Sequence, residues 1–300
     1  MVLLGANQYG KAEVRLVRVT RDTDRHEVED LSVTSQLRGD FEAAHTVGDN
    51  AHVVATDTQK NTVYAFAREH GISSPERFLL TLGRHFVDGF DWVTGGRWHA
   101  EQYSWSRIPV DGQGHDHAFV RSGQETRTCV VQIDGSSTHV VSGLTDCVVA
   151  KTTGSEFTGF PRDRYTTLAE TTDRILATSV TAWWRYAPAG PVEELDFNAL
   201  HGRIRATLLE TFATVHSLAL QQTLFAMGTA VIEGFPDVAE CRFSMPNKHH
   251  FLVDLEPFGL ENPGEVFYAA DRPYGLIEAA VLREGAPEAG GAWSTVPGFC

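Results

Sequence analysis

The sequence predicts an α+β fold in which antiparallel sheets carry helices on one face, laid out as two successive units over residues 1–136 and 137–300. Three observations lead to it. Several runs alternate apolar and polar residues, pairs of amphipathic helical segments lie between these runs, and the order of elements begins again after Asp134-Gly135.

From Lys11 to Val19 the chain alternates, with Ala12, Val14 and Leu16 on one side and Lys11, Glu13 and Arg15 on the other. A regular strand of this kind turns Lys11 away from the core. After a polar turn at Arg21 to Arg25, Leu31, Val33, Ser35 and Leu37 alternate with Ser32, Thr34, Gln36 and Arg38, which completes a hairpin. A helix is expected over Gln59 to Arg68, and Ser74-Pro75-Glu76 opens a second one with an N-cap serine and proline at the first helical position. Phe78, Leu82, Phe86 and Phe90 mark its apolar stripe. Beyond Gly95-Gly96, strands are expected from Trp98 to Val110 and from His117 to Ile133, the latter bent at Ser122-Gly123.

Asp134-Gly135 is a turn signal. After it, Leu144 to Thr152 and Arg174 to Tyr186 read as strands separated by a long polar excursion. Phe197, Leu200, Ile204, Leu208, Phe212 and Val215 outline a long amphipathic helix, and Leu220, Leu224, Met227 and Val231 outline another. Val238 to Met245 and Glu265 to Arg283 close the second half as strands, while Ala187 to Pro191 and Gly285 to Gly291 read as exposed loops. Helices cover one sheet face only. Closing the sheet against further copies of the chain would cover the other and make the protein an obligate oligomer.

With 300 residues the chain can hold two cores. Its 42% apolar and 21% charged residues are those of a soluble globular protein. The formal net charge of −14 repels nucleic acid. A small anionic ligand would need its own local positive charge, for which Lys11 and Arg174 are candidates. The four cysteines, Cys129, Cys147, Cys241 and Cys300, lack C-x-x-C spacing, and the first three lie in strand-like runs, so buried thiols are expected. No apolar run approaches the ~18 residues of a membrane span, and no secretory leader is evident. The terminal Gly298-Phe299-Cys300 is not a Ser-Lys-Leu address, which favours the cytoplasm.

Four segments carry a specific resemblance: Asn7-Gln8-Tyr9-Gly10-Lys11-Ala12; Val54-Ala55-Thr56-Asp57-Thr58-Gln59-Lys60-Asn61-Thr62; Ser155-Glu156-Phe157 through Tyr165-Thr166-Thr167-Leu168 to Thr172-Asp173-Arg174; and Pro246-Asn247-Lys248-His249. With Leu220-Gln221 and the Tyr268 to Leu276 run, in this order along nearly the whole chain, the sequence resembles the uricase (urate oxidase) family. The resemblance implies two tandem tunnelling-fold units (strand-strand-helix-helix-strand-strand) and a homotetramer enclosing a barrel-like tunnel. Active sites would lie at subunit interfaces, with Thr56 and Asp57 from one chain and Phe157, Arg174 and Gln221 from its neighbour. It further implies oxidation of urate by molecular oxygen with no cofactor and no metal.

Each residue so implied has a chemical task. Arg174 can present a planar fork to a carbonyl oxygen and a ring nitrogen of the urate anion. Gln221 offers one acceptor and one donor to the complementary edge of the purine. Phe157 stacks on its plane, and Leu168 and Leu220 form apolar walls. Asn247 holds oxygen, and later peroxide or water, above that plane. Lys11, Thr56 and His249 form the proton-handling set, in which an amine serves as a base near neutral pH only where burial or a neighbouring cation favours its neutral form. Read without the family, Lys11 is a solvated strand lysine, Gln221 a helix-start glutamine beside Gln222, and Arg174 an exposed strand arginine.

Competing readings exist. The pairs His115-Asp116-His117 and His249-His250 suggest a metal site, although adjacent strand residues face opposite ways and cannot both ligate one ion. An enzyme of the same fold acting on a pterin or guanine nucleotide would anchor its heterocycle on an acidic residue, where the matched segments place Arg174 and Gln221. A binding or scaffold protein would leave the Lys11, Thr56 and His249 set without a purpose.

Overall fold

The structure, a computed structural model, describes residues 2–294 and 296; Cys300 lies outside the described residues. The chain forms an α+β fold that divides into two compact units. Among the described residues, one comprises residues 2–144, 185–201, 287–294 and 296, and the other residues 145–184 and 202–286.

The first unit opens with β1 (Tyr9–Thr20) and β2 (Glu27–Gly39), followed by a five-residue helix α1 (Glu42–Thr46), α2 (Thr56–Glu69) and α3 (Pro75–Gly89). The long strands β3 (Val93–Val110) and β4 (Gln113–Asp134) follow. These four strands are neighbours in the order β1-β2-β3-β4, each adjacent pair antiparallel. The alternation read in β2 holds: Leu31, Val33, Ser35 and Leu37 are all buried. Val63 of α2 and Leu79, Leu82 and Phe86 of α3 are buried as well. The α3 N-terminus forms as expected, with Ser74 Oγ accepting the Arg77 N–H at 3.1 Å and Pro75 opening the helix. Glu76 in that first turn is fully buried, accepts from Arg127 at 2.7 Å and Ser142 at 2.6 Å, and so fastens α3 to the sheet.

β1 departs from the expected alternation. Lys11 pairs with Ser35 and Val14 with Val33, so Ala12 and Glu13 together oppose Thr34 alone. This is a β-bulge. Glu13 adopts a left-handed backbone (φ 55°) and its N–H donates to Thr34 Oγ1 at 3.0 Å. The extra residue inverts the phase of the strand. Lys11 therefore shares the helix-covered face with Val14, rather than pointing away from the core, and Ala12 is exposed.

Other boundaries move for local reasons. α2 begins at Thr56, three residues before Gln59. β3 begins before Gly95-Gly96, because these glycines lie inside the sheet where a Cβ would stand 2.2 Å from the Ile133 carbonyl oxygen and 2.5 Å from that of Gln36. The irregularity of β4 falls where expected: Tyr103 pairs with Thr126 but Trp105 with Arg121, and Gly123 has a positive φ of 61°.

From β4 a tight connection through Gly135 leads directly into β5 (Ser137–Lys151), which starts well before Leu144 and passes from one unit to the other. β6 (Leu176–Tyr186), α4 (Phe197–Thr214), α5 (Leu220–Gly234) and β7 (Val238–Asn247) follow in the expected order. The stretch from Glu265 to Arg283 is not one strand. It divides into β9 (Phe267–Ala269), paired with the three-residue strand β8 (His250–Leu252), and β10 (Gly275–Leu282), paired antiparallel with β7. Asp271-Arg272-Pro273 separates them, since proline has no N–H for a ladder. In the second unit β6, β7 and β10 are neighbours in that order, and Leu208, Phe212, Leu224, Met227 and Val231 bury helix stripes with Leu176, Val180, Phe243 and Met245. Cys129, Cys147 and Cys241 are buried thiols.

Candidate active site

In the first unit the bulge brings Lys11 to the face covered by α2, whose first turn carries Thr56 and Asp57. Thr56 is half-buried and Asp57 exposed. The Asp57 carboxylate accepts from Lys60 and, at 3.0 Å, from Asn61, residues three and four positions on along the helix. These bonds hold its carboxyl below the usual carboxylate range, the Lys60 bond first, with the Lys11 charge adding to the effect. Lys11 is thus near enough to Asp57 to be felt electrostatically. The i, i+3 and i, i+4 spacing of Asp57, Lys60 and Asn61 was visible in the sequence as the signal for this clamp.

The second unit assembles the remaining residues on three connected segments. Residues 154–157 form a hub: Ser217 N–H donates to Gly154 O at 2.9 Å, Glu156 N–H to Ser217 O at 2.8 Å, and Phe157 pairs with Thr171 in both directions at 2.8 and 3.1 Å. Asp173 accepts from Thr153 Oγ1 at 3.0 Å and Gly154 N–H at 3.2 Å, and Arg174 N–H donates to Ser155 O at 2.8 Å. This pinning takes Arg174 out of β6, where the sequence had suggested it, and into the loop that precedes it. Its guanidinium carbon stands 5.2 Å from the centroid of the Phe157 ring, and its Nε donates to Ser155 Oγ at 3.4 Å. Half-burial lowers the pKa of Arg174, though a guanidinium remains charged.

The same hub places the start of α5. Ser217 Oγ accepts from Thr223 Oγ1 at 2.7 Å, and Leu218 N–H donates to Gln222 Oε1 at 2.8 Å. The two adjacent glutamines thereby separate in role. Gln222 is consumed in capping the helix start, whereas Gln221 is exposed and, among the described residues, its side chain engages no other. Leu220, the residue before it, is buried. Ser155, Ser217 and Gln222, which build this hub, carry no periodic or motif signal of their own.

At the end of β7, Asn247 is half-buried and lies opposite Gly275. Lys248 N–H donates to Ala177 O at 2.8 Å and Ala270 N–H to His249 O at 2.9 Å, which fixes the backbone on both sides of His249. Burial lowers the His249 pKa, and the charge of Arg174 lowers it further. Both effects favour the neutral form of the His249 imidazole. Leu168 stands apart from these contacts, 52% exposed in the loop between Phe157 and Thr171. His115 and His117 lie on β4 with rings 4.5 Å apart, and no three His, Cys, Asp or Glu side chains among the described residues form a metal-ligating group.

A uricase family model matches residues 7–132 and 140–278, most of the chain. The chain belongs to the uricase family. All ten candidate positions of this family member, from Lys11 to His249, fall inside the matched residues. It is 64% identical to the uricase of Arthrobacter globiformis over 299 residues, covering 100% of this chain and 96% of that one. It is 38% identical to the uricase of Schizosaccharomyces pombe, covering 92% and 96%. Among solved structures, the crystal structure of the Arthrobacter globiformis uricase superposes with a TM-score of 0.92 at 64% identity, over 98% of this chain and 99% of that one. A hyper-thermostable mutant of AgUricase superposes with a TM-score of 0.94 at 63% identity over 100% of both chains.

Proposed function

We propose that this uricase-family chain oxidises urate with molecular oxygen, holding the substrate on the Arg174, Phe157 and Gln221 face of its second unit and deprotonating it with Lys11, Thr56 and His249. The guanidinium poised over the Phe157 ring carries this reading, because a flat anion bound there would gain both a cation and an aromatic stacking surface. Gln221 supports it by presenting an unengaged carboxamide at the adjoining helix start. Leu220 and Leu168 serve as walls, Asp57 orients the Thr56 end of the site, and Asn247 holds the oxygen species.

The proposed chemistry balances without a resident metal or flavin. Removal of a proton from the urate anion gives an electron-rich dianion that passes two electrons in all to dioxygen, through a hydroperoxide at C5 of the purine. Water then displaces the peroxide. Urate, O2 and H2O become 5-hydroxyisourate and H2O2. Lys11 accepts the proton only as its neutral amine, the Thr56 hydroxyl relays it, and the His249 imidazole completes the set.

The proposed assembly is a homotetramer of tandem tunnelling-fold units, residues 1–136 and 137–300, with Thr56 and Asp57 of one protomer completing the site of its neighbour. The repeated order of two strands, two helices and two strands supports it. The division of candidate residues supports it too, with Lys11, Thr56 and Asp57 in one compact unit and the others in the second. Cytoplasmic residence is part of the same proposal, supported by the buried, unbridged thiols.

An aerobic assay on chelator-treated protein tests the function. Loss of the urate ultraviolet band should be accompanied by one equivalent of peroxide. Saturable binding with no turnover would leave a binding protein in its place.

A further inference from the structure

Gln59 is fully buried in the first unit, one turn into α2, and the proposed chemistry gives it no task. A buried carboxamide without partners would cost ~1–3 kcal/mol, and an apolar side chain would fill the same volume, so its placement calls for a reason. Both of its ends are engaged. Ser35 Oγ donates to Gln59 Oε1 at 2.9 Å, and Gln59 Nε2 donates to the Val54 carbonyl at 3.4 Å. The same carbonyl accepts the Tyr9 hydroxyl at 3.1 Å, and the Tyr9 ring is held edge-on against Phe41 with centroids 4.7 Å apart.

These partners bracket the two groups assigned to proton handling. Tyr9 lies on β1 two residues before Lys11, and Ser35 is the residue directly across the ladder from Lys11. Val54 lies two residues before Thr56, and Gln59 three after it. The helix start has no cap of its own: Ala55 occupies the N-cap position and provides no side-chain hydrogen bond. The direction in which α2 presents Thr56 is therefore set by the bonds to Val54 and Gln59, and these lead back to the strand pair that carries Lys11.

We propose that Gln59 is a positioning residue whose carboxamide ties the Thr56 end of α2 to the β1–β2 ladder and so sets the separation of the Lys11 amine and the Thr56 hydroxyl. The inference rests on the assignment of Lys11 and Thr56 made above. Gln59 touches neither substrate nor reacting atoms; it acts through the two that do.

The test uses the full-length protein with urate in air. Gln59→Leu and, from the other end of the contact, Ser35→Ala are each made alone and in a Lys11→Met background. In each single variant kcat falls about ten- to hundred-fold while the Michaelis constant for urate is little changed, and the pH profile of kcat is displaced. In the Lys11→Met background neither change lowers the residual rate further, because there is no amine left to misplace. Gln59→Leu protein that folds and keeps the parent kcat and pH profile would overturn the proposal. The same fold loss with and without Lys11 would also overturn it, as the mark of a merely structural role. If Gln59→Leu does not fold, Ser35→Ala decides by the same readouts. Full turnover by Lys11→Met would instead refute the base assignment on which the inference stands, and that outcome is distinguishable because it needs no change at Gln59.

Discussion

Lys11 and Ser35 face each other across the β1–β2 ladder, and Ser35 is buried under α2. The relationship exists only because Ala12 and Glu13 share one partner, Thr34. In a strand without the bulge, Lys11 would emerge on the opposite face and be lost to the first turn of α2. A single residue of register thus decides which face of the strand carries the amine.

Deleting Glu13 should remove the bulge yet leave Lys11 two positions before Val14, opposite Ser35 and on the same face, so the protein should fold and keep most of its turnover. By contrast, Glu13→Gly keeps the bulge and relieves the left-handed backbone at φ 55°. It should stabilise by roughly 0.5–1 kcal/mol with turnover preserved. Urea midpoints and steady-state rates on the two variants check both outcomes, and a deletion variant that folds but has lost turnover to the extent of Lys11→Met would contradict the phase argument.

If Arg174 binds the anion as proposed, Arg174→Ala should raise the Michaelis constant for urate far more than it lowers kcat. Arg174→Lys should recover little of the loss, because an ammonium cannot reproduce the planar fork over Phe157. Equal Michaelis constants for the parent and the alanine variant would remove Arg174 from binding.

Glu76→Ala should destabilise the first unit by about 3–5 kcal/mol, by leaving Arg127 with its partly buried charge unpaired beside α3 and by freeing Ser142. Chemical denaturation reads this directly. A loss under ~1 kcal/mol would mean that the pair is structurally idle.

His99 on β3 gives a pH signature. Burial, reinforced by the charge of Arg97, lowers its pKa from 6.5 to about 4, and its Nε2 lies 2.9 Å from Thr128 Oγ1. Below pH 6.5 the unfolded chain takes up a proton that the folded one refuses. The stability contributed by this histidine is therefore complete above pH 6.5, falls as pH drops, and is gone below about pH 4, a loss of order 3 kcal/mol. His99→Gln should flatten this part of the stability-versus-pH curve, and an unchanged slope would show that other groups carry it.

Much of this protein could be read from the order of its residues. The alternation of Leu31, Val33, Ser35 and Leu37 named the buried face of β2, Ser74-Pro75 marked the start of α3, and the four-residue spacing of Phe78, Leu82 and Phe86 marked its core stripe. These are local effects, in which periodicity and capping act over one or two turns and need no distant partner. The matched segments also named every candidate side chain, because the chemistry of a guanidinium, an amine or an imidazole is a property of the residue itself.

Only the tertiary structure decided where those side chains point. The bulge at Ala12-Glu13 has no glycine to announce it, since a glutamate occupies the left-handed position and Thr34, distant in sequence, stabilises it. Arg174 leaves the expected strand because Asp173 is bound by Thr153 and Gly154, and Gln221 differs from Gln222 only because the latter is drawn to the Leu218 N–H. Gly95-Gly96 enter a strand because neighbouring carbonyls approach too closely for a side chain. In each case a hydrogen bond or a close contact overrides a weak local preference, and such terms are set by which segments meet in the fold.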